Sequence, residues 1–145
     1  GVEENGILET VKELGIGFVA YSPLGRGFLS GEIKSIDDLA EDDWRRTNPR
    51  FQGENFQKNM EIVKEIKNLS ESKGVTPSQL VLAWVLQKGF TAIPGTKRRE
   101  YLRENAEAAN IELTVQELEK IDSAFPPGIV SGERYPEAGM KSLNN

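Results

Sequence analysis

The sequence predicts an α/β fold with two β/α units that belong to a larger sheet or barrel. Two short apolar runs, residues 16–21 and 90–93, carry the β-branched and aromatic residues typical of strands. Segments with helical periodicity separate and follow them, which indicates parallel strands joined by helices. Two strands leave both sheet edges open, and a complete eight-fold barrel takes about 250 residues. At 145 residues, the chain therefore reads as part of a larger fold.

The composition is that of a soluble globular protein, with 37% hydrophobic and 28% charged residues. This balance excludes a collagen-like or wholly disordered chain. The 18 basic and 23 acidic residues give a net charge of −5, opposite in sign to what a non-specific nucleic-acid binder needs. We expect no membrane partner and a cytoplasmic location, because no long apolar run and no N-terminal signal segment are recognisable.

Cysteine and histidine are both missing from the sequence. Without cysteine there is no disulfide framework and no thiolate chemistry. Without histidine there is no histidine-ligated zinc and no histidine-dependent nucleophile triad, and the commonest general base is lost. We therefore predict no metal site and look for cofactor contacts.

The first part of the chain predicts a helix, a strand and a long loop. Apolar residues at helical spacing indicate a helix over residues 4–14, closed by Gly15. The strand at 16–21 stops at Pro23, because proline has no N–H for the ladder. Residues 30–53 lose periodicity and predict a polar loop with at most short helical turns. It is either a solvated insertion or a functional, mobile segment.

Two helices are predicted next. The apolar spacing over residues 54–73 indicates an amphipathic helix that ends at Gly74. Thr76 as N-cap and Pro77 at the first helical position open the second helix. Residues 80–86 are apolar on nearly all sides, so this helix should be buried on more than one face.

The last part of the chain predicts a short strand, two helices and a tail. The strand at 90–93 runs into a loop, and a helix follows over about 98–108. Thr114 and Glu117 form a capping box for the next helix. Residues 126–145 are rich in glycine, proline and charge, which predicts coil.

Ligands of parallel α/β folds bind at the carboxyl ends of the strands, which here carry two glycine-containing loops, 22–31 and 94–97. In the first, two glycines flank Arg26, so backbone amides and a guanidinium could approach a phosphate. Tyr21, at the end of the strand, is either a packing aromatic or a flat platform for a planar ring.

The second loop leads into a run of cations, Thr96-Lys97-Arg98-Arg99, at the start of a helix. The helix dipole disfavours cations there, and a bound phosphate would reverse the sign of that effect. The alternative is a solvated basic turn.

Two segments together resemble the C-terminal part of the aldo-keto reductases. They are Tyr-Ser-Pro-Leu-Gly-Arg-Gly at 21–27 and Ile-Pro-Gly-Thr-Lys-Arg-Arg-Glu-Tyr-Leu-Arg-Glu-Asn at 93–105. The resemblance implies the C-terminal portion of a (β/α)8 TIM barrel, an incomplete barrel with two strands and surrounding helices. Residues 1–145 would be a partial aldo-keto reductase domain, with 126–145 as its C-terminal tail. In relatives that tail borders the substrate pocket, although residues 133–136 could equally be surface coil.

The resemblance also implies an NADPH site. The aromatic ring at the strand end would stack on the nicotinamide, and the first loop would line the pyrophosphate. The second loop and the helix after it would hold the adenosine ribose, its 2′-phosphate and the adenine, with cations that favour NADP over NAD. The implied cofactor-binding residues are Tyr21, Ser22, Pro23, Leu24, Gly25, Arg26, Gly95, Thr96, Lys97, Arg98, Tyr101, Glu104 and Asn105.

The family's catalytic Asp, Tyr, Lys and His lie on earlier strands of the barrel. This chain has no histidine, and its three tyrosines (Tyr21, Tyr101 and Tyr135) match other positions of the pattern. A carbonyl reductase needs an acid for the developing alkoxide. We therefore assign no catalytic residue and expect the chain to be inactive without the N-terminal part.

The resemblance thus predicts the cofactor-binding portion of an NADPH-dependent reductase of aldehydes and ketones. Its partners would be NADPH, a small carbonyl substrate once the barrel is complete, and an N-terminal half or a second copy that covers the open strand edges. Two alternatives stay open: a non-catalytic binding or assembly module, and an NADP-sensing regulatory subunit.

Overall fold

The computed structural model describes residues 5–143. Its helices and strands are α1 (Ile7–Glu13), β1 (Val19–Ala20), α2 (Gly53–Lys73), α3 (Pro77–Gln87), β2 (Thr91–Ala92), α4 (Arg99–Glu107), α5 (Val115–Ala124) and α6 (Glu137–Met140). Short 3₁₀ helices cover Gly25–Ser30, Ile36–Asp38, Trp44–Thr47, Pro49–Phe51 and Ala108–Asn110. The predicted α/β order is confirmed.

β1 and β2 pair in parallel, with Val19 opposite Thr91 and Ala20 opposite Ala92. Both strands are shorter than predicted, two residues each. Within residues 5–143 the sheet has only these two strands. The residues at the ends of β1 and β2 therefore have no further strand with which to extend the hydrogen-bonded ladder. Val19 and Ile93 stay 53% and 58% exposed at this small sheet.

The helix boundaries follow the predicted capping residues. Gly15, with φ +64°, closes α1: its N–H donates to the Lys12 carbonyl at 3.2 Å, and Ile16 N–H donates to the Val11 carbonyl at 2.8 Å. Thr76 and Thr114 each accept the N–H of the residue three positions on, at 3.2 Å. Residue 4, where α1 was predicted to begin, lies outside the described residues.

The main core lies where α2, α3 and α5 meet. Its buried side chains are Ile66, Leu80, Val81, Ala83, Leu113 and Ile121. α3 also buries Leu82 and Val85, so the prediction that this helix is covered on more than one side is confirmed.

The long loop before α2 is not the solvated insertion that its polar sequence suggested. Its short helical turns were predicted, but Ile33, Leu39 and Phe51 are buried in a second core with Phe28 and Val63. The Phe28 and Phe51 rings meet edge to face, with centroids 5.0 Å apart. These apolar residues lie too far apart in the sequence to form a periodic pattern, which is why the prediction failed.

The tail beyond α5 was predicted as coil, and that prediction is incomplete. It contains the one-turn helix α6, and Ser131, Gly132 and Arg134 hydrogen-bond to side chains from the loop and α2. These partners lie 72 to 86 residues away in the sequence, so no local pattern predicts the contacts. Residues 144–145 lie outside the described part.

Candidate functional site

The two predicted loops follow the carboxyl ends of neighbouring parallel strands and therefore lie at one edge of the sheet. Residues from both line a cleft of about 600 Å³, which we call the loop cleft. Its lining residues are Arg26, Ala40, Asp42, Asp43, Trp44, Arg45 and Lys97. Two predicted cations, Arg26 from the first loop and Lys97 from the second, thus face one space.

The backbone of the first loop is held in a left-handed conformation. Ser22 and Arg26 have φ of 51° and 64°, values that cost a residue with a side chain roughly 1–3 kcal/mol. Gly25 N–H donates to the Ser22 carbonyl at 2.8 Å. Arg45 Nη1 donates to the Arg26 carbonyl at 3.0 Å, so a residue from the long loop fixes the first loop.

Tyr21 is 67% exposed at the end of β1. Hydrogen bonding to the side chains of Tyr135, Ser22 and Arg26 lowers the pKa of its phenol. In the described part of the chain the ring is thus exposed and is not a buried packing aromatic.

The Arg26 side chain reaches the C-terminal tail. Its Nη1 donates to the Arg134 carbonyl at 2.8 Å. Its guanidinium carbon lies 4.9 Å from the centroid of the Trp44 ring and 4.7 Å from that of Tyr135. The sequence around Trp44 gives no signal for this contact, because nothing in the polar loop marks Trp44 as a partner of Arg26.

An ion pair dominates the acidic side of the loop cleft. The Asp43 carboxylate accepts from Arg45 Nη2 at 2.6 Å and from Arg45 Nε at 3.0 Å. These hydrogen bonds lower the pKa of Asp43 to about 2. The pairing offsets the negative charge of this carboxylate, so it repels an incoming anion less.

The second loop presents exposed cations at the start of α4. Lys97 and Arg98 are exposed, and the Arg98 N–H donates to Thr96 Oγ1 at 3.3 Å. The Arg98 guanidinium lies 5.5 Å from the centroid of the Tyr101 ring and 3.7 Å from Glu100. Gly95 is exposed as well, so the predicted residues of this loop are open to solvent.

Glu104 and Asn105, predicted to reach an adenine, are half-buried on α4. The Thr76 hydroxyl donates to Glu104 Oε1 at 2.7 Å, and Gln79 Nε2 donates to the Glu104 carbonyl at 3.3 Å. Glu104 therefore also braces α4 against the start of α3. Pro23 and Leu24 are half-buried in the first loop, and Leu24 packs against the main core.

Within residues 5–143, no group of three or more acidic, histidine or cysteine side chains could hold a metal ion. None of the helices described is long and apolar enough to cross a membrane.

Comparison with known proteins identifies the family. The model of the aldo/keto reductase family matches residues 1–125. An aldo-keto reductase of Strobilurus tenacellus is 44% identical over 141 residues, 96% of this chain and 42% of that protein. An NADP(+) aldo-keto reductase of Schizosaccharomyces pombe is 45% identical over 141 residues, 95% of this chain and 42% of that protein.

Solved structures agree in fold. A glycerol dehydrogenase from Gluconobacter oxydans superposes with a TM-score of 0.75 at 26% identity, over 85% of this chain and 38% of that one. A thermostable aldo-keto reductase in complex with the inhibitor epalrestat gives a TM-score of 0.59 at 29% identity, over 86% of this chain and 35% of that one. The described fold is thus part of a TIM barrel, as predicted. This chain, which spans 42% of the length of the two relatives above, belongs to the aldo/keto reductase family.

Proposed function

We propose that this chain is the cofactor-binding portion of an NADPH-dependent reductase of aldehydes and ketones, with residues 126–145 as the tail of a partial domain. The observation that carries the proposal is the shared cleft: Arg26 and Lys97 come from loops after two parallel strands and line one space. A dinucleotide phosphate carries anionic groups at more than one place, so cations from two separate loops suit it. The family supports the same assignment.

The first loop suits a pyrophosphate. A guanidinium has five N–H groups, so the bond from Arg26 to the Arg134 carbonyl leaves others for a phosphate oxygen. Gly25 and Gly27 have no side chains, so backbone amides can approach the ligand. Ser22 would add its hydroxyl, and the open ring of Tyr21 would stack on the nicotinamide.

The second loop suits a 2′-phosphate. Lys97 and Arg98 are exposed cations beside the N-terminus of α4, where an anion is favoured. Thr96 and Tyr101 supply hydroxyls to the same region, and Asn105 would reach the adenine from α4. The name of the Schizosaccharomyces pombe relative gives NADP(+) as the cofactor of that protein, which supports the choice of NADP over NAD.

NADPH supplies a hydride when bound, and the residues of this chain would hold and orient it. Reduction of a carbonyl also needs an acid for the developing alkoxide. We assign that acid to no residue of this chain, which has no histidine and spans 42% of its relatives. Turnover is thus proposed to need residues beyond these 145, with a small carbonyl compound as substrate.

Lys97→Ala tests the cofactor assignment. We expect it to raise the Kd for NADPH about tenfold, the lower end of the range for a charge-assisted contact, because an exposed lysine is screened by solvent. The Kd for NADH should stay within about twofold, since NADH has no 2′-phosphate. Fluorescence titration of both cofactors gives the two constants. Lys64→Ala, an exposed lysine on α2, is the matched control. Equal weakening of both cofactors would refute the assignment.

A second candidate function is that of an assembly module or NADP-sensing subunit. In the module a partner chain would bury the exposed Val19 and Ile93 at the two-stranded sheet and extend the ladder, as the N-terminal half would in the reductase. Native mass spectrometry, combined with an assay of NADPH oxidation, distinguishes the two functions. Carbonyl-dependent oxidation by a complex with a second chain supports the reductase, whereas a complex that binds NADPH without turnover supports the module.

A further inference from the structure

The tail segment, residues 131–135, is fixed by buried asparagines. Asn59 is 3% exposed: its Oδ1 accepts the Ser131 N–H at 2.8 Å, and its Nδ2 donates to the Ser131 carbonyl at 2.9 Å. Asn48 is fully buried and donates to the Arg134 carbonyl at 3.0 Å. Buried amides that are fully paired in this way hold a backbone in one position.

The fit around Gly132 shows how closely the tail segment lies against its neighbours. Its φ is +91°, and a Cβ there would come within 2.9 Å of Asn55 Nδ2 and 3.1 Å of the Pro49 backbone. Arg50 Nε donates to the Gly132 carbonyl at 3.2 Å. A side chain at this position would have to displace the Asn55 amide and press against the Pro49 backbone, and its φ would be strained, so the contact favours glycine.

The Arg134 carbonyl joins the tail segment to the loop cleft. It accepts from buried Asn48 at 3.0 Å and from Arg26 Nη1 at 2.8 Å. The next residue, Tyr135, brings its ring centroid to 4.7 Å from the Arg26 guanidinium carbon. Arg26 is therefore held by one hydrogen bond and one ring from a segment more than 100 residues away in the sequence.

We propose that the tail segment positions Arg26 for an anion in the loop cleft, with Tyr135 as a positioning residue. The arginine side chain has several rotatable bonds, and a contact that restricts them before binding reduces the entropy lost on binding. The family model ends at residue 125, so the match does not include the tail segment. The effect on NADPH rests on the function proposed above, whereas the positioning of Arg26 does not.

Tyr135→Leu tests the proposal, with Tyr135→Phe as the variant that keeps the ring. We expect Tyr135→Leu to raise the Kd for NADPH about tenfold, or about 1.4 kcal/mol. Binding of adenosine 2′-monophosphate should change less than about twofold, because its phosphate meets the second loop. Tyr135→Phe keeps the ring beside Arg26 but loses the hydrogen bond to the Tyr21 phenol, so its Kd for NADPH should rise less than that of Tyr135→Leu. Ser142→Ala, which removes a local bond to the Gly139 carbonyl, should behave as wild type.

Hydrogen exchange gives a readout that needs no cofactor. In Tyr135→Leu the amides of residues 22–27 and 131–135 should exchange faster, and those of α3 should not change. Trp44 is 54% exposed, so Trp44→Leu should fold. Because Trp44 belongs to the long loop, this variant shows how much of the constraint on Arg26 comes from that loop and not from the tail segment. If Tyr135→Leu does not fold, Tyr135→Met is the second variant that removes the ring from the tail segment.

The outcomes separate the two proposals. Equal weakening of NADPH and adenosine 2′-monophosphate would indicate a general structural role and overturn the positioning role. Unchanged hydrogen exchange of residues 22–27 in Tyr135→Leu would also overturn the positioning role, even if the wild-type protein binds NADPH. Faster exchange in a protein whose wild type binds neither ligand supports the positioning of Arg26 and refutes the proposed function.

Discussion

Asn59→Ala should detach the tail segment from α2. The substitution removes three hydrogen bonds: two with Ser131, at 2.8 and 2.9 Å, and one to the Arg50 carbonyl at 3.1 Å. A typical intramolecular hydrogen bond contributes about 1 kcal/mol, so the free energy of unfolding should fall by about 3 kcal/mol. The Ser131 N–H would be left without its hydrogen-bond partner at a half-buried position. The cost of this unpaired donor adds to the loss of stability.

Urea unfolding followed by circular dichroism measures this loss, with the m-value as a check that the same surface is exposed on unfolding. Asn110→Ala is the matched control, because Asn110 is exposed and its substitution should change stability by no more than about 0.5 kcal/mol. If Asn59→Ala and Asn110→Ala unfold at the same urea concentration, the tail segment does not contribute to stability through Asn59, and this reasoning is wrong.

Two further predictions concern the tail and the loop cleft. Gly132→Ala should destabilise the protein by at least about 1 kcal/mol more than Gly128→Ala, measured by urea unfolding. Both glycines have positive φ, but only at Gly132 would a Cβ meet other atoms within 4 Å, so equal losses would contradict the close fit. Asp43 has its pKa lowered from 3.8 to about 2, so its carboxylate stabilises the folded state in full above pH 4 and loses that effect as the pH falls through about 2. Between pH 5 and pH 2 wild type should lose up to about 2 kcal/mol more stability than Asp43→Asn, and parallel curves would argue against the Arg45 pair.

The sequence predicted the helices well because their ends are encoded locally. Thr76 and Thr114 accept bonds from residues three positions on, and Gly15 closes α1 within the same turn. These interactions join residues that are neighbours in the chain. The predicted strand lengths were wrong because strand length depends on residues that are distant in the chain. A neighbouring strand extends a ladder, and in the described residues β1 and β2 have only each other.

In the candidate site, too, local signals could be predicted from the sequence and contacts between distant residues could not. The residue types of both loops could be read as cofactor contacts, because glycines, cations and a strand-end tyrosine are local signals. The contacts of Trp44, Arg134 and Tyr135 with Arg26 could not be predicted, because they join residues 18 to 109 positions apart. The hydrogen bond between Glu104 and Thr76 depends on how α4 packs against α3.

The sequence by itself thus determined the order of elements, the helix caps, the apolar character of α3 and the two loops of the family. These properties depend on side-chain type and short spacing. The tertiary structure alone decided that the long loop would bury Phe51 and that buried Asn48 and Asn59 would hold the tail beside Arg26. Such contacts form only when segments distant in the chain pack together, because a buried amide takes whichever backbone group the fold brings within hydrogen-bond distance.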